Sequence, residues 1–430
     1  MSTAASSFLP KVRARSGDYA HAALILAAFA LFATEHLVHY PVALMSLLGL
    51  LQMIRAPRAV LDPAARALLV LFALVWLPML GALPDASDPS RTVKTVFLYL
   101  HLLPAAYFLM RACARPAVFS LVTQGVVILV VFVGLDAFAQ LIWRENLFGY
   151  PYDGRVLKGV FHPKQRLGLF LAVFAPLCIV AVRHWSREFP RLWLLYVPLL
   201  IVLLMSLKRS AWVMLVAGLG AYFVLRRDVS GQRPRRRVRV LQLVLIAAVV
   251  AGTASLHPAL RAQLGTVAGL LSGDAAQFDR ASSYRLTLWR TGAAMFQDNW
   301  MNGVGPRGYR HAYREYAAAD DFWLARQRSG QTHPHLLVLE VATETGIIGL
   351  LGLTTFYGVL VAYIRRLRMD PGSVWLLCAA VAWLPINGHL AFYGSYWSTL
   401  VWMLIGIGCG ALVREPLSRG IPADDSRAAL

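Results

Sequence analysis

Long apolar runs recur along nearly the whole chain, and they constrain the fold more than any other feature. Each run can hold roughly 15–20 helical residues, the length that a helix needs to cross a bilayer. Hydrophobic residues make up 58% of the 430 positions and charged residues only 15%, a smaller charged share than a soluble domain carries. The sequence therefore predicts an all-α integral membrane protein.

About twelve membrane spans are predicted from these runs. They cover residues 20–34, 37–54, 67–82, 93–110, 117–142, 167–182, 192–206, 210–225, 240–256, 335–364, 374–390 and 396–413. The chain thus divides into residues 1–256 with helices 1–9, a polar segment (residues 257–334), and residues 335–430 with helices 10–12 and a tail.

The lysines and arginines predict the orientation of these spans. More than half of the 42 basic residues lie in short segments at the termini or after even-numbered spans, including seven arginines between Arg226 and Arg239. Because basic residues collect on the cytoplasmic side, both termini are predicted to be cytoplasmic. Membrane lipid headgroups are an expected contact of the 226–239 run, and nucleic acid is not an expected partner.

The polar segment is predicted to lie on the opposite side, although it carries nine arginines from Arg261 to Arg328. This placement runs against the usual charge bias, and a polyanionic ligand would favour it. Pairing with outer acids such as Asp85 and Asp321 is the alternative explanation. A loop of this length in a multi-span protein is typical of a functional site.

His335 opens the tenth predicted span. At about 100° per residue, Leu339, Ala342, Gly346 and Gly349 are predicted to share its stripe, where the glycines permit close approach of a helix or a lipid chain. A neutral imidazole can accept a proton from a hydroxyl nucleophile. A histidine that only forms a hydrogen bond at the helix mouth is the alternative.

Lys208 and Arg209 lie side by side between two apolar runs, where the chain turns at the outer surface. Charges at this depth are costly unless they are paired or bind a ligand. The planar fork of Arg209 suits two oxygens of a phosphate. Snorkelling of both side chains to headgroups is the alternative.

Arg285 and Trp289 are predicted to share one side of a short amphipathic helix, with Ser282 and Ser283 as caps near its start. Arg285 is therefore a candidate contact for an anionic substrate, and a helix that rests on headgroups is the alternative. Further substrate-binding candidates are Arg290, Arg307, Arg91 and Lys94.

No set of His, Cys, Asp or Glu has the spacing of a metal site, and the four cysteines lie in or beside apolar runs. Neither a metal nor a cofactor is therefore expected. The sequence also lacks a nucleotide-binding segment, so the donor of an outward-facing membrane enzyme must arrive already activated. A polyprenyl diphosphate carrier fits, because arginines can stabilise the departing diphosphate.

These motifs resemble the O-antigen ligase and polymerase superfamily of bacterial inner membranes. The resemblance rests on His335 followed by two glycines at the family's offsets, on the SLKRSAW segment, and on SSYRLTLWR followed by NGVGPRGYR. Leu336 stands where the family has Asn, Ser or Gln. The order and spacing of the motifs extend over most of the chain.

The resemblance implies a GT-C-type membrane glycosyltransferase with a large helical periplasmic loop and no metal requirement. Its implied reaction is inverting transfer of O-antigen from undecaprenyl diphosphate to the lipid A–core oligosaccharide, on the periplasmic face of the inner membrane. His335 would act as the general base. Arg209 and Arg285 would bind the diphosphate and stabilise the leaving group.

Three alternatives remain open at this point. An O-antigen polymerase and a protein O-oligosaccharyltransferase share the donor chemistry and differ in the acceptor. A transporter of lipid-linked glycans belongs to another class, and it predicts matching repeats with broken helices in the two halves of the chain. No such internal symmetry is visible in the sequence.

Overall fold

The computed structural model describes residues 14–230, 236–270, 274–327, 330–367, 371–388 and 390–419. Within these ranges the chain forms eighteen α-helices and no strand. They are α1 (Ser16–Ala30), α2 (His39–Arg55), α3 (Pro63–Gly81), α4 (Pro89–Tyr99), α5 (Leu102–Cys113), α6 (Pro116–Trp143), α7 (Leu167–Trp185), α8 (Tyr196–Met205), α9 (Arg209–Ser230), α10 (Arg236–Leu256), α11 (Pro258–Leu270), α12 (Ala275–Ala281), α13 (Arg285–Asp298), α14 (Tyr309–Tyr316), α15 (Phe322–Arg326), α16 (Leu337–Arg366), α17 (Pro371–Ala382) and α18 (Ser395–Arg419).

The all-α membrane architecture predicted from the sequence is confirmed. In the described part of the chain, seven helical stretches are long and apolar enough to cross a membrane, and four further apolar helices are shorter. Each predicted span overlaps a helix or two consecutive helical pieces. The count of twelve crossings, their orientation and the boundaries of the three parts stay predictions.

Helix α18 lies at the centre of the bundle, where it packs against α17, α5 and α3. Of its apolar window, 94% is buried, although its sequence is as apolar as that of a lipid-facing span. Gly406 faces the backbone of Ala106, and Gly410 faces the backbone of Cys113. Because a glycine has no side chain, these two positions let α5 approach α18 closely.

Helix α2 lies at the outside of the bundle. Its exposed apolar side chains include Tyr40, Leu44, Leu47, Leu51 and Ile54, which are spaced alternately four and three residues apart. This spacing places them on one stripe of the helix. A continuous exposed apolar stripe on a membrane helix is the surface that faces lipid.

Two predicted spans are interrupted. The span predicted at 93–110 forms α4 and α5 with a break at Leu100 and His101, and the span predicted at 374–390 is helical only to Ala382. We call the described residues 383–388 and 390–394 the irregular segment. Trp383 and Phe392 within it are almost fully buried by the protein. Burial by protein explains why non-helical backbone is tolerated beside a membrane bundle.

Helix α16 is broken at Gly346, whose φ of 63° and ψ of −158° are not helical. Part of the polar segment fills the break. Ile347 N–H donates to the carbonyl oxygen of Trp300 at 2.8 Å, and the carbonyl oxygen of Thr343 accepts from Val304 N–H at 2.8 Å. The backbone groups freed by the break are therefore satisfied by another part of the chain, as a membrane helix requires.

The predicted stripe from His335 to Gly349 is wrong. His335 lies outside α16, which begins at Leu337, and its φ of 53° is left-handed. The break at Gly346 then changes the direction of the stripe. Gly346 does permit a close approach, as expected, but the element that approaches it is the polar segment. A Cβ at Gly346 would overlap the backbone of Met301.

The polar segment has a small hydrophobic core of its own. Leu288 and Met295 from α13 pack with Val304, Tyr309 and Tyr313, all of which are buried. Tyr309 Oη also donates to the carbonyl oxygen of Leu288 at 3.0 Å, which joins α14 to α13. The described part of the segment that contains α13 and α14 is thus a folded unit.

Candidate functional site

Arg209, the first residue of α9, is anchored to the start of the helix that carries Arg285. Its guanidinium donates to the carbonyl oxygen of Ala281 and, at 3.2 Å, to Ser283 Oγ. Ser283 and Tyr284 both have left-handed backbone, with φ of 66° and 58°. Such conformations are uncommon outside glycine and are found at functional sites that the surrounding structure holds in place.

Arg285 lies on a helix together with Trp289, as the sequence predicted, and it is the first residue of that helix, α13. Its backbone N–H donates to Ser282 Oγ at 3.3 Å, so one predicted serine does contact the helix start. The other, Ser283, instead accepts from Arg209. The missed cap is Asp279, which accepts from Leu286 N–H at 2.8 Å, where a carboxylate also complements the helix dipole.

The ring of His335 is oriented by the irregular segment. Its Nδ1 lies 2.7 Å from the carbonyl oxygen of Gly388. The backbone beside it is joined as well, because Leu337 N–H donates to the carbonyl oxygen of Asn387 at 2.9 Å. A carbonyl oxygen can only accept, so Nδ1 carries the hydrogen. In the neutral ring the lone pair is therefore on Nε2, which is free to accept a proton.

Three separate parts of the sequence converge at this point. A Cβ on Gly388 would lie 3.0 Å from Arg285 Nη1 and would overlap the carbonyl oxygen of His335. The charge of Arg285 acts on both His335 and Lys208 and lowers the pKa of each. We call Lys208, Arg209, Arg285 and His335 the basic cluster. In the described part of the chain, none of its members forms an ion pair with a carboxylate.

Burial and like charge shift the pKa values in the basic cluster. Burial, followed by the charge of Arg285, lowers the pKa of His335 from 6.5 to about 4, and the hydrogen bond to Gly388 opposes this shift. Burial, followed by Arg285, also lowers the pKa of Lys208 from 10.5 to about 8. At neutral pH the cluster thus combines a neutral imidazole with cations that lack acidic partners.

The other predicted site residues lie elsewhere. Arg307 and Arg91 are placed near Arg310, and the charges of both lower the pKa of that guanidinium, although burial lowers it most. We call Arg91, Arg307 and Arg310 the arginine cluster. Lys94 on α4 and Arg290 on α13 have exposed side chains, and in the described residues neither takes part in a hydrogen bond or an ion pair.

Two acids of α16, which the sequence analysis did not single out, hold the site together. Glu344 is buried and accepts from Arg307 N–H at 2.6 Å, and Glu340 is buried and accepts from Phe392 N–H at 2.9 Å. The first bond fixes the turn that carries Arg307, and the second fixes the irregular segment. The sequence did contain a signal for these two residues. An acid inside an apolar helix needs a partner, so its presence indicates a contact with another part of the chain.

Gly388 provides a test of how strictly the base must be positioned. A Gly388→Ala variant is expected to lower kcat by about 100-fold, since a 1 Å misplacement of reacting groups has an effect of that size. A Gly358→Ala variant is the matched control, because a Cβ at Gly358 meets no atom within 4 Å. The measurement is transfer rate at saturating substrates for detergent-purified protein. Equal rates for the two variants would contradict the positioning role of Gly388.

The arrangement has the parts needed for attack by a hydroxyl group on a bond to a diphosphate. A neutral imidazole can take the proton, and the cations can hold the anionic leaving group. In the described part of the chain, no group of three or more His, Cys, Asp or Glu could hold a metal ion. The four cysteines are buried, and none of them forms a disulfide in the described part of the chain.

Comparison with known families agrees with this chemistry. Residues 194–354 match the family model described as O-antigen ligase. The match includes the whole basic cluster and ends before the irregular segment. A comparison with curated proteins gives no significant match. The match supports a membrane enzyme of the glycosyltransferase type with an O-antigen ligase or polymerase function. Over residues 194–354, the chain is therefore similar to the O-antigen ligase family.

Proposed function

We propose that the protein is an O-antigen ligase. It transfers polysaccharide from undecaprenyl diphosphate to the lipid A–core oligosaccharide, with inversion at the anomeric carbon and without a metal ion. One observation carries the proposal: Lys208, Arg209 and Arg285 meet His335 in a single cluster, although they come from three distant parts of the sequence. A transporter or a scaffold does not require a base beside unpaired cations.

The proposed reaction is a single displacement. His335 Nε2 accepts the proton of the acceptor hydroxyl. At the same time, the oxygen of that hydroxyl forms a bond to the anomeric carbon of the donor glycan. The bond from that carbon to the diphosphate oxygen breaks, and its electron pair leaves with undecaprenyl diphosphate. Arg285 and Lys208 stabilise the charge on the leaving group, because positive charges in a partly buried site act strongly on it.

Arg209 has two parts in this mechanism. Its guanidinium is tied to the carbonyl oxygen of Ala281 and to Ser283 Oγ, so it holds the turn that places Arg285. Its charge adds to the field at the diphosphate. The remaining basic candidates, Arg290 and Lys94, have exposed side chains and are assigned weaker contacts with the polar glycan.

We place the basic cluster on the periplasmic face of the inner membrane, with both termini in the cytoplasm. The basic loops of the sequence support this orientation. The cluster also lies where α9 and α16 begin and beside the polar segment, at one end of the bundle. A lipid-linked donor would reach this end with its carrier chain still in the bilayer.

The pKa values predict how the reaction depends on pH. His335 must be neutral, and its pKa of about 4 keeps it so at all higher pH values. The kcat/KM is expected to stay level from pH 7 down to pH 5, and to fall as the pH approaches about 4. Above about pH 8, Lys208 loses its charge, so the donor KM rises.

The pH profile of purified protein measures both limits. A Lys208→Arg variant is expected to lose the alkaline limit and keep the acid one, since arginine stays charged. An acid limit near pH 6.5, the ordinary histidine value, would contradict a buried base at this position.

The proposed function is tested by reconstitution. Purified full-length protein is incubated with glycan-linked undecaprenyl diphosphate and lipid A–core, and the products are separated by size and lipid. Glycan joined to lipid A–core is the expected product, and EDTA is expected to leave the rate unchanged. Longer carrier-linked glycan with no ligated product would show a polymerase. Glycan on an added acceptor protein would show an oligosaccharyltransferase.

A further inference from the structure

The arginine cluster lies in a second place on the folded polar segment. Arg307 is held in a left-handed turn with φ of 68°, and Arg310 lies in the first turn of α14. Arg91 lies in the first turn of α4. Two hydrogen bonds join these elements: Ser87 N–H donates to the carbonyl oxygen of Val304 at 3.0 Å, and Thr92 Oγ1 donates to that of Pro306 at 3.4 Å. The elements that carry the three arginines are therefore joined by hydrogen bonds.

Among the residues that the structure describes, the guanidinium groups of the arginine cluster have no hydrogen-bond acceptor. The Nε atom of Arg310 is buried and has no hydrogen-bond partner in the described part of the chain. In the same part, the side chains of Arg307 and Arg91 form neither an ion pair nor a hydrogen bond. A buried donor without an acceptor is unfavourable, so a missing partner is indicated.

The nearby carboxylates have other hydrogen-bond partners. Asp88 accepts from Arg91 N–H and Ser90 Oγ, and its other oxygen lies 3.5 Å from His311 Nε2. Glu344 accepts from Arg307 N–H and Tyr309 N–H, and Glu340 accepts from Phe392 N–H. Their oxygens are therefore engaged with backbone. Their charges raise the pKa of Arg310, but burial and the charges of Arg307 and Arg91 lower it, with a net downward shift. Among the described residues, the buried Nε of Arg310 thus keeps no acceptor.

We infer that Arg91, Arg307 and Arg310 bind a phosphate group carried by the acceptor glycolipid. This inference rests on the proposed function. Three planar forks match the three free oxygens and the nearly double charge of a phosphate better than they match a carboxylate. The donor diphosphate already has the basic cluster, so a second anion site is left for the acceptor.

The spacing of the two clusters suits an acceptor that extends over both. Glu344, beside the arginine cluster, lies about 10 Å beyond Leu337 along α16, at about 1.5 Å per residue. His335 lies just before that helix. An acceptor hydroxyl at His335 would thus leave its phosphate one or two sugar rings away. The site would fix the acceptor and take no part in bond breaking.

The test uses an Arg310→Gln variant of the full-length protein in nanodiscs of neutral phosphatidylcholine. The KM for lipid A–core is expected to rise about tenfold or more, the effect of losing a charged hydrogen bond. The donor KM and kcat are expected to stay within about twofold. Arg314→Gln is the matched control, because Arg314 is exposed on the same helix. Arg91→Gln removes an exposed member of the cluster and is expected to raise the acceptor KM without affecting folding.

Two further arms identify the anion and its source. With lipid A–core from which the phosphates have been removed, wild-type protein and Arg310→Gln are expected to have the same acceptor KM. A persisting difference would overturn the phosphate assignment. Anionic phosphatidylglycerol in the nanodiscs is expected to leave the acceptor KM of wild-type protein unchanged. If the acceptor KM of a cluster variant differs from that of wild-type protein only when phosphatidylglycerol is present, the cluster binds a lipid headgroup. That result would overturn the inference.

The inference and the proposed function fail in different ways. If wild-type protein forms no product with lipid A–core, the proposed function is wrong. If wild-type protein forms that product and both cluster variants keep the wild-type acceptor KM, the second anion site is wrong and the function stands.

Discussion

A His335→Ala variant is expected to lower the rate of glycan transfer by about 100- to 10,000-fold, the contribution of a general base. The variant removes the only group that we place in reach of the acceptor proton. Donor binding is expected to change little, because the diphosphate contacts belong to Lys208 and Arg285. Single-turnover assays with preloaded donor measure the chemical step directly.

His333→Ala is the matched control for this experiment. The rings of His333 and His335 lie 4.0 Å apart, so both variants disturb the same place in the structure. Only the His335 ring is oriented by Gly388. The control is expected to keep most of the transfer rate. If His333→Ala loses activity and His335→Ala keeps it, His333 is the general base and His335 is not.

An Arg285→Lys variant is expected to lower kcat by about 100-fold, similar to the loss of one transition-state donor elsewhere. Lysine keeps the charge but cannot form two parallel hydrogen bonds to a diphosphate. Since the charge remains, the acid limit of the pH profile should stay near 4, the value that burial and Arg285 give to His335. The measurement is kcat and the pH profile with lipid-linked donor.

Arg285→Gln and Arg290→Lys complete this comparison. Arg285→Gln removes the charge, so it should raise the pKa of His335 and move the acid limit upward as well as slow the reaction. Arg290 is exposed on the same helix, and Arg290→Lys should leave both readouts unchanged. Near-normal activity of Arg285→Lys would mean that Arg285 acts only through its charge.

The helical membrane architecture could be predicted from the sequence because apolar run length and turn residues are local properties. The cations of the site could also be predicted from the sequence, because their signals are local as well. Lys208 and Arg209 interrupt an apolar stretch, where a charge needs an explanation. Arg285 is marked by the short helix that follows it, and α13 begins at that residue.

The connections between these residues could not be predicted, because they join parts of the chain that are far apart in sequence. Nothing local to Gly388 indicates that its carbonyl oxygen orients His335, more than fifty residues earlier. Gly346 looked like a packing glycine of a continuous helix, and its positive φ appears only in the structure. Arg310 resembles any other polar-segment arginine until its neighbours are known.

The break in α16 has a consequence for the order in which the protein can be assembled. The N–H groups beyond Gly346 take acceptors at Trp300 and Met301, which are synthesised earlier. A late membrane helix therefore reaches its final hydrogen bonding only once an upstream, water-exposed unit is in place. Deleting the polar segment would leave bare amides beside the bilayer, so the two halves of the enzyme cannot be separated and studied as independent parts.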